Sequence, residues 1–199
     1  MESEMKALGE ISILVNNVGT ASADKLVDMP WDAVKRVVTV NVYSMTALSK
    51  VTLPLLLARG EGKRSAIVNV SSESAVYGMS TLAVYCGSKG YNKLFSESLA
   101  LEHPDKIDVL TVLTGRVKTN MNSGRYTFTV MPDSFARHAL NKLSWVGTTE
   151  GHPVHECAQY LYPRMLGRVF HRIDKKRRED FFREKREQEQ KAKAEGNST

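Results

Sequence analysis

The sequence predicts an α/β fold built on a parallel sheet that helices cover on both faces. Three short and almost wholly apolar segments support this prediction: residues 11–15 (ISILV), 65–71 (SAIVNVS) and 107–113 (IDVLTVL). Longer segments of helical character alternate with them, as crossover connections between parallel strands require. Strands that are buried on both faces lose the polar–apolar alternation of a half-exposed sheet, and these three segments show none.

The helices are predicted from start and stop signals between these strands. Asp28 and Pro30 precede a helix expected over residues 31–59, with a kink at Pro54 and a stop at Gly60. A second helix is expected over 83–103, because Pro104 follows it. After the third strand comes a loop-like segment, TGRVKTNMNSGRYTFTVMP, and then a helix over 132–145.

Composition excludes several classes of protein. The 199 residues and 42% hydrophobic content fit one globular domain with its own core. No run of about 18 apolar residues occurs, so no membrane span is expected, and the polar start MESEMKALGE is not a signal or transit peptide. Two cysteines, Cys86 and Cys157, and five scattered histidines lack ligand spacing, so no metal site is expected.

The net charge of +6 is carried between Arg164 and Lys193, which divides the chain into a domain (1–163) and a basic helical tail (164–199). A basic tail can bind an anionic membrane or nucleic acid. Acidic residues here precede basic ones by four positions, as in Asp174–Arg178 and Glu179–Arg183, which favours a solvent-exposed helix. No nucleic-acid partner is therefore predicted.

Tyr85 and Lys89, in YCGSK, stand four residues apart and so share one face of the second helix. A phenol titrates near pH 10, and a neighbouring ammonium lowers that pKa by stabilising the phenolate. The pair is thus a candidate general acid or base. Spacing alone is weak support, because a surface tyrosine beside a surface lysine gives the same pattern.

Further motifs surround this pair in a characteristic order. NNVG (16–19) ends the first strand, Asn41 lies in the first helix, Ser72 ends the second strand thirteen residues before Tyr85, and TGRVKT (114–119) follows the third. Together they resemble the short-chain dehydrogenase/reductase family, with threonine where its P-G-x-V-x-T segment has proline. The branch most similar contains very-long-chain 3-ketoacyl-CoA reductases and 17-beta-hydroxysteroid dehydrogenases.

The resemblance implies a fold and a mechanism. The fold would be the C-terminal portion of a doubly wound Rossmann-type fold, from its fourth strand onward, followed by the charged helix. The reaction would be reduction of a ketone by NAD(P)H, with Tyr85 protonating the substrate oxygen and Ser72 hydrogen-bonding it. Lys89 would lower the pKa of Tyr85 and hold the nicotinamide ribose, and Asn41 would help to hold a water chain.

The resemblance also implies cofactor contacts, with NADP(H) favoured over NAD(H). Asn16 and Gly19 would lie on the adenosine side, whereas Gly115, Val117 and Thr119 would border the nicotinamide carboxamide. The full set of implied cofactor contacts is Asn16, Gly19, Asn41, Tyr85, Lys89, Gly115, Val117 and Thr119.

The implied substrate is a small-molecule ketone, an acyl-CoA or a steroid. Tyr126, Phe128 and Val130 alternate within 121–131 and could line an apolar pocket for either. A homodimer is implied as well. The branch is held at the endoplasmic reticulum membrane, and any anchor is expected outside these 199 residues.

The family's T-G-x-x-x-G-x-G segment does not occur in the sequence, which begins just before the equivalent of the fourth strand. That segment lets the backbone approach the cofactor pyrophosphate. Two classes of function therefore stay open: part of a working oxidoreductase, or a truncated protein that binds no cofactor and acts as a binding or remnant protein. We expect the 199 residues alone to bind neither NADPH nor NADH.

Overall fold

The computed structural model describes residues 9–119 and 128–165, and separately Asp180, Arg183, Glu184 and Glu187. Most of the predicted tail and most of the 121–131 segment lie outside the described residues. The strands are β1 (Ile13–Asn16), β2 (Ser65–Val70), β3 (Ile107–Val112) and β4 (Thr148–Thr149). The helices are α1 (Trp31–Val38), α2 (Ser44–Leu57), α3 (Ala83–Glu102), α4 (Pro132–Leu140) and α5 (Pro153–Met165).

The four strands form one parallel sheet in the order β1-β2-β3-β4. Asn16 pairs with Asn69, Asn69 with Thr111 and Thr111 with Thr148, so these residues form a row across the sheet. The predicted parallel α/β fold is confirmed. β4 was not predicted, because a strand of two residues leaves no periodic signal in the sequence.

Core packing on both faces of the sheet explains why the strand segments are almost wholly apolar. One cluster contains Leu56 of α2, Ile67 of β2 and Leu99 of α3. The other contains Val68 of β2 with Leu110 and Val112 of β3, and Ala139 of α4 packs against them. The neighbours Ile67 and Val68 thus face opposite layers, as alternate residues of a strand must.

α1 and α2 form a continuous helix, Trp31–Leu57, through a π-helical turn at Thr39–Tyr43. α2 continues through Pro54, and the predicted kink there stays a prediction. A π turn widens the helix by one residue and is often found at functional sites. Here it carries Asn41.

The same continuous helix is long and apolar enough to cross a membrane, with a mean hydropathy of 1.2 over its most apolar window. This criterion concerns length and composition alone, so the absence of a membrane span stays a prediction. Core helices of soluble proteins meet the same criterion, and α2 buries Met45, Ser49, Thr52 and Leu56 within the fold.

Side-chain amides join β1, β2 and the helices that cover them. Asn16 donates from Nδ2 to Asn69 Oδ1 at 2.8 Å and to Ser49 Oγ of α2 at 3.2 Å. Asn69 in turn donates to Ser96 Oγ of α3 at 2.8 Å. Buried polar groups are costly unless they are hydrogen-bonded, so this ladder fixes how α2 and α3 sit on the sheet.

Replacement of Leu110 by alanine tests the core between β3 and α4. Leu110 is fully buried, and Leu110→Ala should lower the free energy of unfolding by about 2–5 kcal/mol through lost burial and a residual cavity. Leu101→Ala is the matched control, because Leu101 on α3 is 81% exposed, and it should change stability by less than about 0.5 kcal/mol. Urea denaturation measures both, and equal losses would contradict this packing.

Candidate active site

Three segments meet at the carboxyl edge of the sheet, where ligands bind in open α/β folds. Gly19 and Thr20 follow β1, Ser72 follows β2, and Thr114 follows β3. The backbone N–H of Glu73 donates to the carbonyl of Thr114 at 3.2 Å, which joins the second segment to the third. The parallel topology thus brings together the motifs that the sequence keeps apart.

α3 supplies Tyr85 and Lys89 to this edge. The Lys89 ammonium nitrogen lies 5.9 Å from the centroid of the Tyr85 ring, so the two side chains share one face as predicted. The Ser72 side chain lies near enough to the Tyr85 hydroxyl to lower its pKa. The structure therefore places Ser72, Tyr85 and Lys89 side by side.

The orientation of Ser72 follows from its place in a helical turn. It caps the short 3₁₀ turn Glu73–Ala75, and its Oγ accepts a hydrogen bond from the backbone N–H of Ser74 at 3.2 Å. A hydroxyl carries one donor and two acceptor positions, so the Ser72 proton is available to a second partner. The neighbouring Tyr85 hydroxyl or a substrate carbonyl could take that position.

Lys89 is buried, with 4% of its surface exposed, and its Nζ donates to the carbonyl of Val70 at 2.9 Å. Burial disfavours the charged form and lowers the pKa of Lys89 to about 8. An ammonium has three N–H donors, so two remain after the bond to Val70. A neighbouring ligand with hydroxyl groups would suit them.

Burial raises the pKa of Tyr85 above its ordinary value, and the neighbouring Ser72 side chain acts in the opposite direction. Cys86 and Glu73 add smaller contributions that also raise this pKa. The sequence predicts that Lys89 lowers the pKa of Tyr85, whereas the net direction in this structure is upward, with burial as the largest cause. The consequence is a phenol that keeps its proton at neutral pH and can donate it.

The amide of Asn41 connects three elements of the site. Its Oδ1 accepts from the backbone N–H of Thr20 at 2.8 Å, and its Nδ2 donates to the Thr20 carbonyl at 2.9 Å and to Ser88 Oγ at 2.9 Å. Both amide hydrogens are thereby used. The side chain of Asn41 holds the β1 loop against α3 and has no hydrogen left for a water.

Gly19 lies beside Lys89. A Cβ atom there would lie 3.4 Å from Lys89 Nζ and 3.7 Å from Asn41 Oδ1. Any larger side chain would therefore cover the ammonium, and glycine keeps it accessible. Asn16 is different, because its buried side chain bonds Ser49 and Asn69 between sheet and helix. The structure thus gives the Asn16 side chain a role in cohesion and turns it away from the expected cofactor surface.

The segment after β3 runs beside Ser72 and then pairs with a second stretch of chain. Gly115 packs against the ring of His155. Val117 is buried and forms a parallel bridge with Val130, and Thr119 is exposed at the end of the first described range. Among the three predicted nicotinamide contacts, Gly115 directly follows Thr114, whose carbonyl accepts the hydrogen bond from Glu73.

Three of the histidines that lack ligand spacing in the sequence lie together behind this segment. The ring centroids of His138 and His152 are 4.5 Å apart, and those of His152 and His155 are 6.0 Å apart. Among the residues the structure describes, no group of three or more ligating side chains is placed to hold a metal. Sequence reasoning missed this cluster because tertiary packing brings α4 to the start of α5.

Ser134 and His152 resemble a serine–histidine pair, with Ser134 Oγ 3.1 Å from His152 Nε2. The backbone N–H of Val154 donates to His152 Nδ1 at 3.2 Å, so Nδ1 is the acceptor and Nε2 carries the hydrogen. In that tautomer His152 donates to Ser134 and cannot remove its proton. The pair therefore is not an activated nucleophile.

The residues at the edge fit the nicotinamide ribose end of a dinucleotide cofactor. Lys89 offers two N–H donors, Tyr85 offers a hydroxyl, and Gly19 leaves the approach to them open. Such a donor set suits a pair of ribose hydroxyls. The fit concerns this end alone, since the sequence contains no T-G-x-x-x-G-x-G turn for a pyrophosphate.

Residues 1–128 match the family described as short chain dehydrogenase. The very-long-chain 3-oxoacyl-CoA reductase of Bos taurus is 31% identical over 152 residues, which cover 73% of this chain and 48% of the relative. The NADP-dependent 3-hydroxy acid dehydrogenase of Schizosaccharomyces pombe is 33% identical over 132 residues, covering 63% and 48%. The chain spans about half the length of these curated relatives.

Among solved structures, a 3-oxoacyl-[acyl-carrier protein] reductase of Brucella melitensis in complex with NAD is similar, with a TM-score of 0.56 and 26% identity. The match covers 60% of this chain and 51% of the Brucella protein. It concerns a parallel-sheet fold of the same kind.

The buried ammonium of Lys89 makes stability depend on pH. Its pKa is about 8 in the folded protein against 10.5 ordinarily, so the unfolded state binds more protons between these values. Stability should therefore rise with pH through this window and fall as pH drops towards 8. Relative to Lys89→Met, wild type should gain on the order of 3 kcal/mol between pH 7 and pH 10.5.

The measurement is urea denaturation of both proteins across that range. Lys93→Met is the matched control, because Lys93 lies one turn further along α3 and pairs with Glu97 near the surface. Subtracting the stability change measured for Lys93→Met removes the effect of losing one charge and leaves the effect of burying Lys89. A wild-type-to-variant difference that is flat after this subtraction would show that the ammonium is not desolvated.

Proposed function

The chain belongs to the short chain dehydrogenase family, and from this premise we propose that the protein is an NAD(P)-dependent oxidoreductase that reduces a ketone. The convergence of Ser72, Tyr85 and Lys89 at the carboxyl edge of the sheet carries this proposal. A proton donor, a hydrogen-bond donor and a buried cation are the groups that reduction of a carbonyl to an alcohol requires.

Tyr85 acts in this proposal as the general acid. When bound, the nicotinamide cofactor supplies the hydride that reaches the carbonyl carbon. Negative charge then develops on the substrate oxygen, and Tyr85 donates its proton there while the Ser72 hydroxyl donates a hydrogen bond. The raised pKa of Tyr85 supports this direction of transfer, because the phenol is protonated at neutral pH.

In the same scheme Lys89 binds the ribose of the cofactor and stabilises the Tyr85 phenolate. With a pKa of about 8 it is mostly charged at pH 7. We assign its two remaining N–H groups to the ribose hydroxyls, and its charge beside Tyr85 favours the phenolate left after proton transfer. A water chain that returns the proton would pass near Asn41, whose amide holds the β1 loop and α3 in place.

The cofactor would extend from Lys89 towards the segment after β3. Gly115, Val117 and Thr119 are proposed to border the carboxamide, supported by the bond between the Thr114 carbonyl and Glu73 beside Ser72. We propose NADP(H) over NAD(H), which agrees with the name of the Schizosaccharomyces pombe relative. The Brucella structure contains NAD, so the measured affinities for NADPH and NADH decide between the two cofactors.

The proposed substrate is a 3-oxoacyl thioester, with a steroid ketone as the alternative. The names of the Bos taurus and Brucella melitensis relatives support the acyl substrate. Phe128 is partly exposed beside the buried Val130, so this side of the site offers apolar surface. A location at the endoplasmic reticulum membrane rests on the resemblance alone.

A homodimer is also proposed, and the outer surface of the helices supports it. Tyr43 in the π turn and Leu94 and Leu101 on α3 are more than half exposed. Large apolar side chains on neighbouring helix surfaces are typical of a face that a second subunit covers.

A non-catalytic binding protein is the second candidate. β1 pairs with β2 on one side, and Ile13 and Val15 along it are 50% and 53% exposed. An apolar edge strand of this kind can pair with another chain. Fluorescence titration with NADPH and NADH separates the two candidates when the 199 residues are completed with a family-type first half. Saturable binding of either supports the oxidoreductase, and binding of neither favours the second candidate.

Tyr85→Phe, made in the chain completed with a family-type first half, tests the proposed acid. The phenyl ring keeps the packing and loses the proton, so kcat for ketone reduction should fall by about 10²–10⁴-fold while cofactor affinity changes little. Tyr91→Phe is the matched control, since Tyr91 lies on the same helix and its hydroxyl bonds Thr46 near the surface. Steady-state oxidation of NADPH measures both variants. A Tyr85→Phe protein that keeps more than about a tenth of wild-type kcat would remove Tyr85 from this role.

A further inference from the structure

His155, at the first turn of α5, lies directly behind the segment that follows β3. It is 3% exposed, and its ring packs on Gly115. A Cβ atom at Gly115 would lie 2.8 to 3.0 Å from three atoms of that ring. Real Cβ atoms do not approach so closely, so the glycine and the ring are fitted to each other.

One hydrogen bond orients the ring. His155 Nε2 lies 3.1 Å from the carbonyl oxygen of Arg116. A carbonyl only accepts, so Nε2 carries the hydrogen and donates it. The backbone N–H of Val130 donates to the same carbonyl at 3.0 Å. The Arg116 carbonyl is thus fixed from two sides, by α5 and by the strand-like pairing with Val130.

The His155 ring also lies beside an aromatic ring of α4. The ring of Phe135, on α4, lies at a centroid distance of 5.6 Å. Phe135 in turn covers Gly151, where a Cβ atom would lie 2.6 Å from two of its ring atoms. Gly115, His155, Phe135 and Gly151 therefore form a close-packed stack that joins the post-β3 segment to α4 and α5.

We propose that His155 is a positioning residue that sets the backbone at Gly115 and Arg116 against the nicotinamide end of the cofactor. This inference rests on the proposed function, since the cofactor gives the position its purpose. The link to the site is the Thr114 carbonyl, which accepts from Glu73 next to Ser72. A shift of Gly115 would change the cofactor surface while Tyr85 and Lys89, held by the other helix layer, stay in place.

The experiment compares His155→Phe with His155→Gln. Phenylalanine keeps an aromatic ring but has no donor for the Arg116 carbonyl, whereas glutamine has an amide N–H that can reach the same position. Calorimetric titration of each variant, made in the chain completed with a family-type first half, gives Kd for NADPH and NADH and for the corresponding ADP-ribose fragments that lack nicotinamide. Limited proteolysis of each variant confirms that it is folded.

For His155→Phe we expect the whole dinucleotide to bind about tenfold more weakly, because one hydrogen bond is lost. The affinity for the fragments should change by less than about twofold. His155→Gln should recover most of the affinity. A merely structural histidine would weaken dinucleotide and fragment alike. Leu99→Ala, in the core layer on the other face of the sheet, is the control for general destabilisation and should show no such selectivity.

The outcomes separate the two proposals. If wild type binds neither dinucleotide, the proposed function fails, and this inference fails with it. If wild type binds but His155→Phe binds equally well, or loses fragment and dinucleotide equally, the positioning role alone is overturned. Should His155→Phe not fold, Gly115→Ala displaces the same contact from the other side and must give the same selective loss.

Discussion

The burial of the Lys89 ammonium is the constraint on which the rest of the site depends. A cation removed from water is costly unless polar groups surround it, and Lys89 donates to the carbonyl at the end of β2, from Val70. This bond requires α3 to lie close against the sheet. Ser71 Oγ reinforces that approach by donating to the backbone carbonyl of Lys89 at 2.8 Å. With Lys89 fixed, Tyr85 one turn earlier necessarily reaches Ser72.

Two sets of buried amides keep α3 in that place. Asn41 bonds Thr20 and Ser88 next to Lys89, while Asn69 bonds Ser96 two turns further along α3. Polar contacts are directional, so they allow one register of the helix on the sheet where apolar packing alone would allow several. The π turn contributes to this arrangement, because it includes Asn41, the residue that joins the β1 loop to α3.

Strands, helices and the spacing of side chains within one helix leave local patterns in the sequence, and these parts of the structure could be predicted from it. Strands β1 to β3 show as apolar runs, α3 was predicted to within one residue, and the spacing of Tyr85 and Lys89 fixes their common face. The raised pKa of Tyr85 could not be predicted, because it depends on burial by the fold. The contact between His155 and Gly115 could not be predicted either, since residues 40 positions apart meet only after α4 and α5 pack on the sheet.

The two halves of the site are supported by different layers of the fold. Tyr85 and Lys89 are held by α3 and its amide contacts on one face, whereas Gly115 is held by His155 and the helices of the other face. At the sheet edge the backbone N–H groups of Ser71 and Glu73 bond the carbonyls of Val112 and Thr114 and so join the two halves. Because different helix layers support the acid and the cofactor surface, substitutions in one layer can alter one of them while the other keeps its own contacts.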